Sequence, residues 1–173
     1  MKSLTIEHTW DGQAVEVDEQ VHIALTRTDD GDWSLVIDAP YHGDPAPTDP
    51  PGRLWRLWQY EVVELFFVAE DGSYLEAEFG PHGHHLLLGL AGPQKIVARE
   101  LPADFQATIE GGRWSGRACV SKDVVPGPIA RFNCFAIHGV GDDRRHLAWS
   151  SLPGDKPDFH QPEFFPEVSL AEE

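Results

Sequence analysis

Apolar and polar residues alternate along this chain in short runs separated by glycine-bearing turns. Such period-two alternation over about four to eight residues marks a half-buried strand. Strands are predicted over 4–9, 14–17, 21–27, 33–39, 60–68, 74–79, 84–90, 105–110, 113–120 and 132–138. The turns between them include "WDG" at 10–12, "DDGD" at 29–32, "EDGS" at 70–73 and "EGGR" at 110–113, all of hairpin type. No segment carries the period and caps of a long amphipathic helix. One short turn is expected at 121–126, "SKDVVP", capped by Ser121 and stopped by Pro126. Short strands with turns every 8–12 residues or about that predict an all-β chain, an antiparallel β-sandwich.

Two stretches interrupt the alternation. "APYHGDPAPTDPPGR" (39–53) and "SLPGDKPDFHQPEFFP" (151–166) are too proline-rich to be central strands. They are also long for simple connections, and long ordered loops on a sandwich are often where function sits. The 173 residues suit one domain, a single β-sandwich over 1–173 with Pro-rich loops near 39–53 and 151–166.

The strand 60–68 and its partner 74–79 form the most informative segment, "QYEVVELFFVAEDGSYLEAEF". Tyr60, Val62, Glu64, Phe66 and Val68 share one face, and Glu61, Val63, Leu65 and Phe67 the other. After the Asp71–Gly72 turn, Tyr74, Glu76 and Glu78 share a face. Both faces of the first strand are apolar but for one glutamate each, the pattern of a central strand covered on both sides. A glutamate in such a place needs a partner, or its pKa rises. Glu64 and a glutamate of the next strand are therefore expected to point into a ligand site, to pair with arginines such as Arg53 or Arg56, or to lie at the wet end of the sheet.

"FGPHGHHLLLGL" (79–90) places His82, His84 and His85 together ahead of an apolar run. On an extended strand His82 and His84 share a face and His85 takes the other. A His-x-His pair can hold zinc, but no third ligand follows at a diagnostic spacing. His138 ends another apolar strand, "FNCFAIHG" (132–139), and could meet His82 or His85 if the strands are neighbours.

Charge and composition narrow the partners. A net charge of −16 repels phosphates and anionic lipid, so neither nucleic acid nor membrane is an expected partner. Cys119 and Cys134 form no C-x-x-C motif, which speaks against a zinc finger or a thioredoxin-type site; whether the two pair stays open. The N-terminal residues lack the apolar core of a signal peptide, and no apolar run approaches the ~20 residues that span a bilayer. A cytoplasmic protein is expected.

"TWDG", "LWQYEVVELFF", "YLEAEFGPHGHHLLL", "FNCFAIHG" and "KPDFHQPEFF" occur in that order from Ile6 to Phe165. In these motifs the chain resembles the uncharacterised protein family whose human member is named for an open reading frame on chromosome 4. Residues 55–90 are also similar to DOMON-like domains and family-nine carbohydrate-binding modules, through a Trp, an acidic residue, "VELFF" and an aromatic-led strand. The second resemblance implies an antiparallel sandwich whose ligand is a sugar or a haem. It places Trp58, Glu61 and Glu64 on the first strand and Glu76 on its partner. The closer family's motifs place His82, His85, His138, Phe159 and His160, and leave His84 at a variable position.

The expected function is binding of a small ligand, a carbohydrate or other polar molecule, in a Glu/His-lined pocket. Its candidate residues are Trp58, Glu61, Glu64, Glu76, His82, His85, His138, Phe159 and His160. The 156–165 segment is expected to close the pocket. The alternative is an enzyme of unspecified reaction using the Glu/His cluster, with or without a metal. No G-x-S-x-G, H-E-x-x-H or P-loop supports a known chemistry, and no residue is assigned as catalytic. No cofactor is named: Met1 is the sole methionine, which rules out a His/Met haem and leaves a bis-His site formally open. An interaction domain using "FHQPEFF" (159–165) is a further alternative.

Overall fold

The computed structural model describes residues 1–168. It is an antiparallel β-sandwich. One sheet runs in the order β1 (Lys2–Ile6), β3 (Val21–Arg27), β4 (Trp33–Pro40), β11 (Arg113–Val120), β10 (Asp104–Glu110). The other runs β2 (His8–Thr9), β13 (Arg145–Ala148), β12 (Ile129–His138), β6 (Val62–Ala69), β7 (Tyr74–Phe79), β8 (His84–Leu90), β5 (Gly52–Arg53), with β9 (Ile96–Ala98) also on β8. Neighbours are antiparallel except β5 on β8. No helix among the described residues is long and apolar enough to cross a membrane.

The facing sides interlock through Ile23, Leu35, Ile37 and Trp114 from the first sheet and Leu65, Phe67, Phe79, Leu87 and Phe132 from the second. Phe105 and Trp114 pack so closely over Gly116 that a Cβ there would lie 2.9 Å from each. Any larger residue there would have to push both rings aside.

The two sheets differ on their outer sides. In β11, Trp114, Ala118 and Val120 are buried while Ser115, Arg117 and Cys119 are exposed. That is the alternation of a sheet with one wet face. In β6 and β7 every residue is buried. The second sheet's outer face carries a second apolar layer: Phe66, Leu86, Leu88 and Phe135 from the strands, covered by Leu57, Leu152, Phe159 and Phe165 from the loops. The 151–166 proline-rich stretch supplies most of this cover, and specific bonds hold both proline-rich stretches down. His84 Nε2 lies 2.9 Å from the Asp49 carbonyl. Asn133, fully buried, donates to the Ser150 carbonyl and accepts from the Ser150 and Cys134 amides. Phe159 stacks on Phe135 at 3.9 Å between centroids.

Local departures from the sequence expectation have physical causes. The predicted 4–9 strand divides after Ile6, and its halves join different sheets. Residues 14–17 form no strand; Ala14 makes a single bridge to His8, and Val17–Glu19 is a 3-10 turn. The short β5, β9 and β13 carry too few residues to show a period. Residues 122–124 form the expected single turn, with Ser121 Oγ accepting from the Asp123 amide. Both cysteines are free, Cys119 exposed and Cys134 buried.

Candidate functional site

The Asp71–Gly72 turn sets the register of β6 against β7. Gly72 takes φ of 83°, and the Asp71 carboxylate accepts from the Ser73 amide at 2.9 Å. Glu64 then lies opposite Glu78, and Phe66 opposite Glu76. Strand alternation turns all three glutamates to the outer face. They are buried there, 2 %, 4 % and 0 % exposed for Glu64, Glu76 and Glu78. One carboxylate oxygen from each lies within 4.8 Å of the others. Like charges directly across a strand pair repel, so the register concentrates acidity where the loops exclude water.

Above this floor is a cavity of about 850 Å³. Glu64 and Glu76 reach its surface; Trp58, Leu88, Leu90, Ile137 and Phe159 supply apolar wall, and Gln94, Arg144, His146, Asp158 and His160 polar groups. The volume lies in the range of sites for small organic ligands.

The basic groups are held in place. Arg144 donates to the carbonyls of Gly139 at 3.0 Å and Trp58 at 2.6 Å. The Tyr74 hydroxyl and His160 Nδ1 share a 2.6 Å hydrogen bond, and the Gln94 amide donates to the same phenol oxygen at 3.4 Å. His160 Nε2 stands 3.8 Å from Glu76 Oε2.

Desolvation dominates the electrostatics. Burial raises Glu64 well above the usual carboxylate range; the charge of Glu76 adds to this, and Arg144 opposes it. Burial likewise raises Glu78, with Glu64 and Glu76 adding and the backbone at Trp58 offsetting only in part. Glu76 is pushed by burial up to about 8. Burial lowers His160, with Asp158 opposing, and lowers His146, helped by Arg144 and His138. Among the described residues, Glu64 Oε1 and both oxygens of Glu78 have no hydrogen-bond partner of good geometry.

Of the residues picked from sequence, Trp58, Glu64, Glu76, Phe159 and His160 line this cavity. Glu61, His82, His85 and His138 do not. Glu61 accepts from the His42 amide at 3.0 Å. His82 sits in the turn before β8, edge-on to Tyr41 with centroids 5.7 Å apart. His85 points to the other side of β8 and meets Phe105 edge-on at 6.2 Å. His138 bonds Glu19 at 2.9 Å and stacks on His42 at 3.5 Å. The expected meeting of His138 with His82 or His85 therefore does not occur. Alternation separates His84 from His85, and the Gly83 turn carries His82 off the strand. Neither Arg53 nor Arg56 pairs with Glu64: the Arg53 guanidinium donates to the Glu100 carbonyl, and the charge facing Glu64 is that of Arg144. The 156–165 segment does cross the cavity, but it brings Phe159 and His160 to Phe135 and Tyr74.

Sequence reading noted Glu78 without choosing it as a candidate, and passed over Arg144 and His146. Strand alternation had already put Glu78 on the face of Glu76. Arg144 and His146 lie in "GDDRRHLAWS", where a four-residue strand gives no readable period.

Two antiparallel sheets with an acidic, loop-roofed cavity on one outer face define the class: an all-β sandwich with a ligand-sized pocket on a sheet face. The chain belongs to the UPF0462 family. It is 40 % identical over 174 residues to the mouse UPF0462 protein C4orf33 homolog, covering 95 % of this chain and 90 % of the relative. It is 42 % identical over 169 residues to human UPF0462 protein C4orf33, covering 92 % and 84 %. No protein-family model matches. A crystal structure from Bacteroides uniformis ATCC 8492, described as a "putative carbohydrate-binding protein", superposes with a TM-score of 0.72. It covers 95 % of this chain and 84 % of its own at 15 % identity, a likeness of fold.

Proposed function

We propose that this protein binds a small polar molecule, a carbohydrate first among them, in the cavity over β6–β8. The observation that carries the reading is the make-up of that cavity. Acidic groups Glu64 and Glu76 form its floor, the fixed donor Arg144 and the anchored ring of His160 its sides, and Trp58 and Phe159 its apolar faces. Polyhydroxylated ligands are held by such pairings of flat apolar surface with convergent polar groups. The Bacteroides uniformis protein, of the same fold, lends support through its description. We take the ligand-binding set as Trp58, Glu64, Glu76, Phe159 and His160, joined by Arg144 and His146. We place the protein in the cytoplasm, where its two unpaired thiols are at home.

The test is calorimetric titration with a panel of mono- and disaccharides, run on wild type, W58A and E76Q. A saturable sugar isotherm, weakened at least tenfold in both variants with folding intact by circular dichroism, is the expected result. Heat that is absent from the whole panel, or unchanged in both variants, refutes the reading.

A second reading is an enzyme acting through the same groups. It is favoured by the 3.8 Å approach of His160 Nε2 to Glu76 Oε2, a candidate proton-transfer pair. Chromatography of each sugar after prolonged incubation separates the two: binding returns it unchanged, catalysis does not.

A further inference from the structure

The floor of the cavity poses an electrostatic problem that a sugar alone does not answer. Glu64 and Glu76 reach the cavity, but Glu78 lies beneath them, fully buried and outside the cavity lining. Among the described residues its two oxygens have no hydrogen-bond partner of good geometry, only the Trp58 backbone nearby, and Oε1 of Glu64 has none. A buried carboxyl left unpaired costs several kcal/mol or about that, so such groups are normally paired or bound to a metal. The basic groups nearby leave these oxygens unpaired: Arg144 is committed to backbone carbonyls, and His160 holds Tyr74 through Nδ1 while its Nε2 faces Glu76 Oε2 at 3.8 Å, not Glu64 or Glu78.

We propose that Glu64, Glu76 and Glu78 together bind a hard divalent cation of the Ca²⁺, Mn²⁺ and Mg²⁺ class at the base of the cavity. One oxygen from each glutamate lies within 4.8 Å of the others. That span is about two Ca–O bonds of 2.3–2.6 Å laid end to end. The donors are all carboxylate oxygens with no thiolate among them, the set that suits hard ions rather than zinc or copper. Charge also balances. Three carboxylates, one divalent ion and the Arg144 guanidinium facing Glu64 sum to zero. The strands that carry the ligands are central in their sheet and hydrogen-bonded on both sides, so the donors are pre-positioned. Three protein ligands leave coordination positions directed at the cavity, open to water or to a ligand's vicinal hydroxyls. This last role rests on the carbohydrate reading; the cation site itself does not.

The experiment is calorimetric titration of EDTA-treated, desalted protein with CaCl₂, MnCl₂ or MgCl₂ alone, without sugar, on wild type, E64Q and E78Q. A parallel titration follows Tb³⁺ luminescence excited through tryptophan, since Trp58 lines the same cavity. One saturable site per chain for at least one ion is expected, with affinity at least tenfold weaker in E64Q and E78Q. Tb³⁺ emission should fall in W58F. The proposal is overturned if no ion gives one-site heat on wild type. It is equally overturned if E64Q, its folding checked by circular dichroism, binds as wild type does, because the acidic surface is then the binder. Stabilisation by glucosamine but by no metal overturns it too, since an ammonium group would then be what the carboxylates take. Sugar panels run separately with the ion and with EDTA keep a failure of the carbohydrate reading distinct from a failure of this one.

Discussion

At the scale of single residues, the three buried glutamates decide most. A sequence optimised for stability alone would not place Glu64 opposite Glu78 beneath an apolar roof, because mutual repulsion and lost hydration both act against the fold. Replacing Glu78 by Leu roughly keeps the volume and removes a polar group whose oxygens have no partner among the described residues. In EDTA, E78L should be more stable than wild type by about 1–3 kcal/mol, the penalty of an unsatisfied buried polar group. Urea unfolding measures it, and a loss of similar size would mean that Glu78 has a stabilising partner. Asn133 shows the opposite case, a buried polar residue with its bonds made. N133A leaves the Ser150 and Cys134 groups unpaired and should cost about 1–3 kcal/mol. It should also loosen the 149–166 cover, which hydrogen exchange at the Ser150 amide reports.

Among elements, the turn Val17–Glu19 ties two strands of the second sheet. Glu19 bonds His138 at the end of β12 and Arg145 at the start of β13. Burial alone would raise the Glu19 pKa, but the hydrogen bonds and charges of Arg145 and His138 outweigh it and the net shift is downward. A carboxylate depressed in the folded state contributes stability that is present above the unfolded value of about 4.5 and lost as pH falls through the folded value. E19Q should therefore be the less stable protein at pH 7, by no more than about 1 kcal/mol because Arg145 is well exposed. The gap should close toward pH 3; a gap that persists in paired denaturation curves would assign the contact a neutral role. The same elements show why alternation was readable for β3, β4, β6–β8 and β11 but not for β5, β9 and β13. Strands of two to four residues are defined by the neighbours they pair with.

Across the whole molecule, burial lowers His42, His82, His85 and His146. His42 is the most sharply defined. Its ring lies flat on His138, whose charge opposes protonation, while Asp44 and Glu19 favour it and Arg145 disfavours it. A base whose folded-state pKa is lowered gives stability that is complete above its unfolded pKa of about 6.5 and is lost as pH falls below that value. In that window the unfolded chain binds more protons than the native one. H42Q should accordingly lose less stability than wild type between pH 7.5 and 5.5, measured by urea midpoint. An equal loss in both would mean that the stack tolerates a charged ring.

What the sequence determined by itself is whatever depends on near neighbours. Period-two alternation made the strands and the all-β class legible, the Asp71–Gly72 turn set the glutamates' register, and proline density marked two long loops, one of which covers the outer sheet face. Alternation even put Glu76 and Glu78 on one face of their strand, and the β6–β7 register then added Glu64 to it. Only the tertiary structure decided which groups meet. Strand order puts β12 beside β6 and β13 beyond it, so Arg144 and His146 reach the cavity from a segment with no readable pattern. The Gly83 turn and the pleat send His82, His84 and His85 three different ways, so their closeness in sequence becomes separation in space. Contacts across sheets and loops arise from chain closure over distances that no local pattern encodes. The cavity is built almost wholly from such contacts.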